Sequence, residues 1–273
     1  MKLLIAGCGV ESLLLYARGL ELGLDVALPE DCKPLRSGDF DAVISMDIRI
    51  PGNRSFPPPY AMERAERWKE IAENMGIEAG DPEGKDTIFM LVARSRRGET
   101  KMYRPVILRH LDRYTYMETL TPKKEILWRL WDISTLMAQE IGFVGLAQLE
   151  FSISGRLLLT DVRLNTFDRT WILLDGSITP PDEQLLRSVT TGFLGETDSL
   201  IPVAGLQTSI APDERDGLFS KISSIEGARI RIPDGKTLLL NIMDPLDKRR
   251  RKKIEKAIKL IHGQEPKPPA GFP

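Results

Sequence analysis

The sequence predicts an α/β fold. A Rossmann-like N-terminal domain over residues 1–60 is followed by a bridging helix and turn at 61–86, an antiparallel-sheet lobe at 87–200, and a small β-rich domain with a closing helix at 201–273. Three observations carry this reading. A strand, a glycine turn, a helix and a second strand open the chain; paired apolar runs flank a long amphipathic helix in the middle; short strands alternate with turns after Ile201. The composition agrees: of 273 residues, 42% are hydrophobic and 28% charged, which excludes a disordered, collagen-like or membrane-spanning chain.

Element by element, Lys2 to Ala6 is the first strand, and it ends in Gly7-Cys8-Gly9. Leu13, Leu14, Ala17, Leu20 and Leu24 fall at helical spacing, and strands follow at 25–28 and 41–46. The glycine signature stops at Gly7-x-Gly9, because Ser12 stands where a dinucleotide fingerprint needs its third glycine. Glu30 and Asp31, after the second strand, are weak ribose partners, so NAD binding is disfavoured and a tight βα turn is the plainer reading. Residues 49–59 form a proline-rich connector, 60–75 a charged helix stopped by Gly76, and 78–86 a polar turn. Strands at 87–94 and 100–108 make a hairpin. Thr121 caps a helix with Pro122 in its first turn, and Gly142 ends it. A second hairpin covers 144–153 and 155–162, a helix spans 182–192, and the closing helix runs from Asp247 to Ile261.

Charge and chemistry narrow the function. Thirty-eight basic residues against thirty-nine acidic give a net charge of -1, which argues against a nucleic-acid partner held by bulk electrostatics. Cys8 and Cys32, with no leader at the start, fit a reduced cytoplasmic protein, and no run is long enough for a membrane span. His110 and His262, without a CxxC, cannot build a zinc site. Nine Asn plus Gln in the whole chain point to a hot-living source. The run Lys248 to Lys253 reads either as a solvated helix face or as a local anion or nucleic-acid patch.

The segments VARSRRGETKMYRPVI (92–107), EIGFVGLAQLEFSISGRLLLTDVR (140–163) and DGSITPPDEQLLRSV (175–189) come in the order of an ATP-grasp C-terminal lobe. With the opening GCGVESLLLYARGLELGLDVAL and the late RIPDGK (231–236), the chain resembles the 5-(carboxyamino)imidazole ribonucleotide synthase family of purine synthesis. That resemblance implies a Rossmann-like pre-ATP-grasp domain, an ATP-grasp lobe, a homodimer, and magnesium held by a Glu on one strand and an Asn-Glu pair on the next. Glu150 matches the first of these positions, and Thr160 and Asp161 occupy the pair, so Glu150 and Asp161 are the candidate metal residues. The family's A-P-R arginine is Asn165 here, and its H-N-S-G-H loop is Phe167 to Trp171. Its mobile ATP lid would lie between the helix at 61–75 and the strand at 87, where only a turn remains.

Two expectations follow from these departures. One is a reduced, non-catalytic protein that binds a metabolite or another subunit without a cofactor; the alternative is an active carboxylate-amine ligase using ATP and magnesium on aminoimidazole ribonucleotide and bicarbonate. A phosphorylated metabolite, if one binds, is expected between Gly7, Gly9 and Ser12 at the start of the first helix and Lys236, with Thr237 replacing the family's second basic contact. Loss of the lid is expected either to expose Trp128, Trp131 and Phe167 to a partner or to leave them buried in the monomer core.

Overall fold

The computed structural model describes residues 1–7, 9–29, 40–46, 55–82, 86–111, 113–153 and 156–262. Residues Cys8, Glu30, Asp31 and Cys32, named above, lie outside this set.

The N-terminal part is a parallel sheet built from β1 (Lys2–Ala6), β2 (Asp25–Ala27), β3 (Ala42–Ser45) and β4 (Ser55–Phe56), in the order β2-β1-β3-β4. Helix α1 (Val10–Glu21) crosses over between β1 and β2, with Ser12, Leu15 and Gly19 on its buried face. Gly19 is required by close approach: a Cβ there would lie 2.8 Å from Val26 Cγ1. The strand order reverses around β1, so the β1 and β3 ends form the crevice where open α/β sheets receive ligands.

The expected helix at 60–75 is divided. Helix α2 (Pro59–Glu66) stops at Arg67, whose φ of -97° and ψ of 22° leave the helical region, and α3 (Trp68–Asn74) resumes beyond it. Strand β5 (Thr87–Arg94) follows, joined to α3 only through residues 75–86. Within that connector Ala79 pairs in parallel with Leu159, and the Leu159 amide donates to the Glu78 carbonyl.

The expected return strand at 100–108 is also two elements, β6 (Thr100–Met102) and β7 (Val106–Leu111). Tyr103 turns inward between them, its hydroxyl donating to the Thr179 carbonyl at 3.0 Å, and Pro105 brings no amide to a ladder. A hairpin that the apolar pattern does not announce, β7 with β8 (Tyr114–Thr119), comes next. Helix α4 (Lys124–Ile141) starts later than expected: Lys123 is its N-cap, without a side-chain cap, so Thr121 and Pro122 lie ahead of the helix. It ends at Gly142 in the left-handed region, as its sequence predicts.

Strands β9 (Gly145–Ile153) and β10 (Leu157–Leu164) form the second hairpin, and α5 (Leu173–Gly176) and α6 (Pro181–Thr190) follow. The C-terminal region contributes β11 (Val203–Ser209), α7 (Arg215–Ser223), β12 (Ala228–Arg231), β13 (Thr237–Met243) and α8 (Asp247–His262). These strands do not make a sheet of their own. Strand β11 pairs with β8, and one nine-stranded antiparallel sheet runs β10-β9-β5-β7-β8-β11-β13-β12, with β6 attached to β5.

Apolar alternation along the strands splits the core across this sheet. Phe89, Leu91 and Leu146 face the N-terminal sheet, together with Trp171, Leu185 and Leu15 of α1. Met90, Val92 and Leu149 face α2, α3 and α4. A third cluster places Ile254, Ala257 and Ile258 of α8 on β11 and β13. The basic run at the start of α8 is therefore not a uniform solvated face: Arg250 is buried, donating to Glu118 at 2.6 Å and to the Asp244 carbonyl at 2.8 Å. Lys253 pairs with Asp244 at 2.8 Å. Phe167 is fully buried in the shared core, the second of the two alternatives, while Trp128 is 50% exposed and Trp131 partly buried.

Candidate functional site

The two sheets meet at Asn165. This residue ends β10 with φ of 50°, a left-handed backbone that asparagine tolerates better than most residues. Its Oδ1 accepts from the Leu146 amide at 3.1 Å, while Nδ2 donates to the carbonyls of Ser45 at 3.2 Å and Phe56 at 2.7 Å. Asn165 thus ties the lobe to the ends of β3 and β4. Gly145, with φ of 123°, makes room for it, since a Cβ there would stand 2.2 Å from Asn165 Oδ1.

Gly7, Gly9 and Ser12 come together at the β1–α1 turn, as the sequence predicts. Gly9 is the N-cap of α1 and offers no side chain, and Ser12 is buried with its hydroxyl unpaired among the described residues. The neighbouring Glu11 reaches across to the loop after β10. Its carboxylate accepts from the Thr166 hydroxyl at 3.0 Å and from the Phe167 amide. An acidic group thus stands in the first turn of α1, where the helix dipole favours negative charge.

Glu150 and Asp161 are also brought together, as directly opposed neighbours on β9 and β10 beside a bulge at Leu159/Asp161. Burial pushes the Glu150 carboxyl up, and the Asp161 charge adds to it; Arg163 and Arg169 act in the other direction. Arg163 Nε lies 3.3 Å from Asp161 Oδ2, and its Nη1 lies 3.2 Å from Asp168 Oδ2. Arg169 Nε approaches Asp168 at 3.3 Å, and Gln148 Nε2 donates to Asp168 at 3.0 Å. The family resemblance implies magnesium here, and the donor set does not fit it. Magnesium demands several convergent oxygens, yet two of these carboxylates are taken up by a guanidinium, Thr160 brings an unpaired buried hydroxyl, and among the described residues no three carboxylates, imidazoles or thiols converge.

Lys236 lies on a different element from these groups. It lies exposed in the β12–β13 turn, where Asp234 accepts from the backbone amides of Lys236 and Thr237, and its ammonium has no partner among the described residues. Sequence reasoning passed over Glu11, Arg163, Asp168 and Arg169 as site residues. Glu11 reads as an ordinary first-turn acid; the alternation of Asp161 and Arg163 on one strand face was the available signal for the others.

Comparison with solved structures places this arrangement. The chain superimposes on the phosphoribosylaminoimidazole carboxylase ATPase subunit from Aquifex aeolicus with a TM-score of 0.78, at 19% identity, covering 96% of this chain and 100% of that one. The fold is that of the N5-carboxyaminoimidazole ribonucleotide synthases. A second synthase, from Aspergillus clavatus, solved with ADP and 5-aminoimidazole ribonucleotide, gives a TM-score of 0.81 at 11% identity over 96% of this chain and 99% of its own. By sequence, the chain is 25% identical to the Aquifex aeolicus N5-carboxyaminoimidazole ribonucleotide synthase over 196 residues, 67% of this chain. It spans about half the length of that relative, 52%. No family model matches. Among the described residues no helix is long and apolar enough to cross a membrane.

Proposed function

We propose that this chain is a descendant of the ATP-grasp synthases that has given up ligase chemistry and binds a small metabolite or another subunit, with any phosphorylated ligand between the turn at Gly7, Gly9 and Ser12 and Lys236. The observation that carries the reading is the connection from α3 to β5. Residues 75–86 span it, and Ala79 and Glu78 are committed to β10 rather than to a lid. ATP-grasp chemistry passes through an acyl phosphate, which must be formed from a gripped triphosphate and shielded from water. Without a lid at this connection, that shielding is missing among the described residues.

The second reading, an active ligase using ATP and magnesium on aminoimidazole ribonucleotide and bicarbonate, draws support from Glu150 and from the end-to-end match with solved synthases. Calorimetry separates the two. Titration of the wild-type chain with Mg-ATP should give no binding heat. A micromolar ATP affinity, or ATP hydrolysis that depends on aminoimidazole ribonucleotide and bicarbonate, overturns the non-catalytic reading. We further propose a homodimer, with the exposed Trp128 on α4 at its interface.

A further inference from the structure

The acidic cluster on β9, β10 and the following loop presents a physical difficulty that Arg163 resolves, with Arg169 beside it on Asp168. Glu150 and Asp161 are opposed across the hairpin, and Asp168 lies close enough to act electrostatically on Glu150. Three like charges on a half-buried sheet face repel one another unless a cation stands among them. Arg163 stands there. Its Nε meets Asp161 at 3.3 Å, while Nη1 and Nη2 meet the two Asp168 oxygens at 3.2 and 3.3 Å. A planar guanidinium suits this task, because its fork reaches two carboxylates at once and its charge is permanent.

A divalent ion would need these same oxygens and would have to sit beside a fixed positive charge. We infer that Arg163 is the built-in counter-cation of this cluster, occupying the oxygens of Asp161 and Asp168 that a divalent ion would need, and that the site holds no metal while Arg163 is in place. The inference does not depend on whether ATP binds; it concerns the affinity of the cluster for a bare ion, so it can fail while the non-catalytic reading stands, and the reverse.

Manganese alone is the probe, followed by electron paramagnetic resonance on the full chain, with melting temperature recorded in parallel. Wild type should show no site-bound Mn2+ at millimolar ion, and its melting temperature should not move. Arg163→Met should bind Mn2+ at least tenfold more tightly than wild type and regain melting temperature on ion addition, as binding to the native state alone requires. Adding Glu150→Gln or Asp161→Asn to that variant should weaken the binding again. Arg163→Gln carries the same comparison if Arg163→Met does not fold. Wild type that binds Mn2+ in a manner abolished by Glu150→Gln overturns the inference. So does a folded Arg163→Met or Arg163→Gln that binds the ion no better than wild type.

Discussion

Replacing Asn165 with alanine should destabilise the protein more than any change to an exposed residue. The side chain is fully buried, and it satisfies one amide and two carbonyls belonging to both sheets. Truncation strands the Leu146 donor, a loss of about 1–3 kcal/mol for an unsatisfied buried group, and removes the only side-chain donor that this residue offers to Ser45 and Phe56. Alanine at φ of 50° adds a backbone cost of about 1 kcal/mol. The expected total is about 2–4 kcal/mol. Denaturant unfolding followed by circular dichroism reads it as a lowered midpoint. Asn165→Gly is the control: it loses the same hydrogen bonds without the backbone penalty, so it should recover about 1 kcal/mol of the alanine loss. The reasoning fails if Asn165→Ala costs less than about 1 kcal/mol, or if glycine is worse than alanine.

The other expectations concern charge and assembly. Burial by itself would raise the Asp175 carboxyl, but hydrogen bonding and charge from Arg231, with a further bond from Asn241, outweigh it and hold the group below its ordinary value. A depressed carboxylate contributes stability above its unfolded pKa of about 3.9 and loses it as pH falls through the folded value. The gap in urea midpoint between wild type and Asp175→Asn should therefore narrow on acidification below about pH 4, and a constant gap would refute the assignment. Arg250→Ala should cost about 3–5 kcal/mol, since it leaves Glu118 buried without its cation; adding Glu118→Gln should restore part of this in the same unfolding assay. Light scattering at tens of micromolar protein should report a dimer that Trp128→Lys dissociates, and a wild-type monomer would end the dimer proposal.

Much of the fold was legible because its signals are local. Gly142 ends α4, and the Gly9 N-cap marks the start of α1, since each residue satisfies a backbone requirement at its own position. The β7–β8 hairpin was harder to read: RHL and YTYMET carry polar residues on a partly open face, so alternation fades. Continuity of β8 with β11 could not be read at all, because it joins residues some ninety positions apart through backbone bonds that leave no mark on composition. At the site, Glu150 and Asp161 were placed correctly as neighbours on adjacent strands. Asn165 shows the limit. Read as the loss of an arginine, it turns out to be a joint between sheets, and its partners Ser45 and Phe56 lie over a hundred residues away.

The short connector between α3 and β5 also bears on how the chain behaves among its own copies. Strand β10 is the outermost strand of a nine-stranded sheet, eight residues long, and such an edge is a template on which another chain can pair. Here Ala79 lies alongside Leu159, with hydrogen bonds from Leu159 to Glu78 and from Gly80 to Leu159, and Arg156 holds Glu78 at 3.3 Å. The connector therefore works as a selvedge, sealing the middle of the strand against fraying and against fibrous growth. Lengthening it with a flexible insert would unpick that hem, and the first sign would be turbidity on warming at a temperature where the core is still folded.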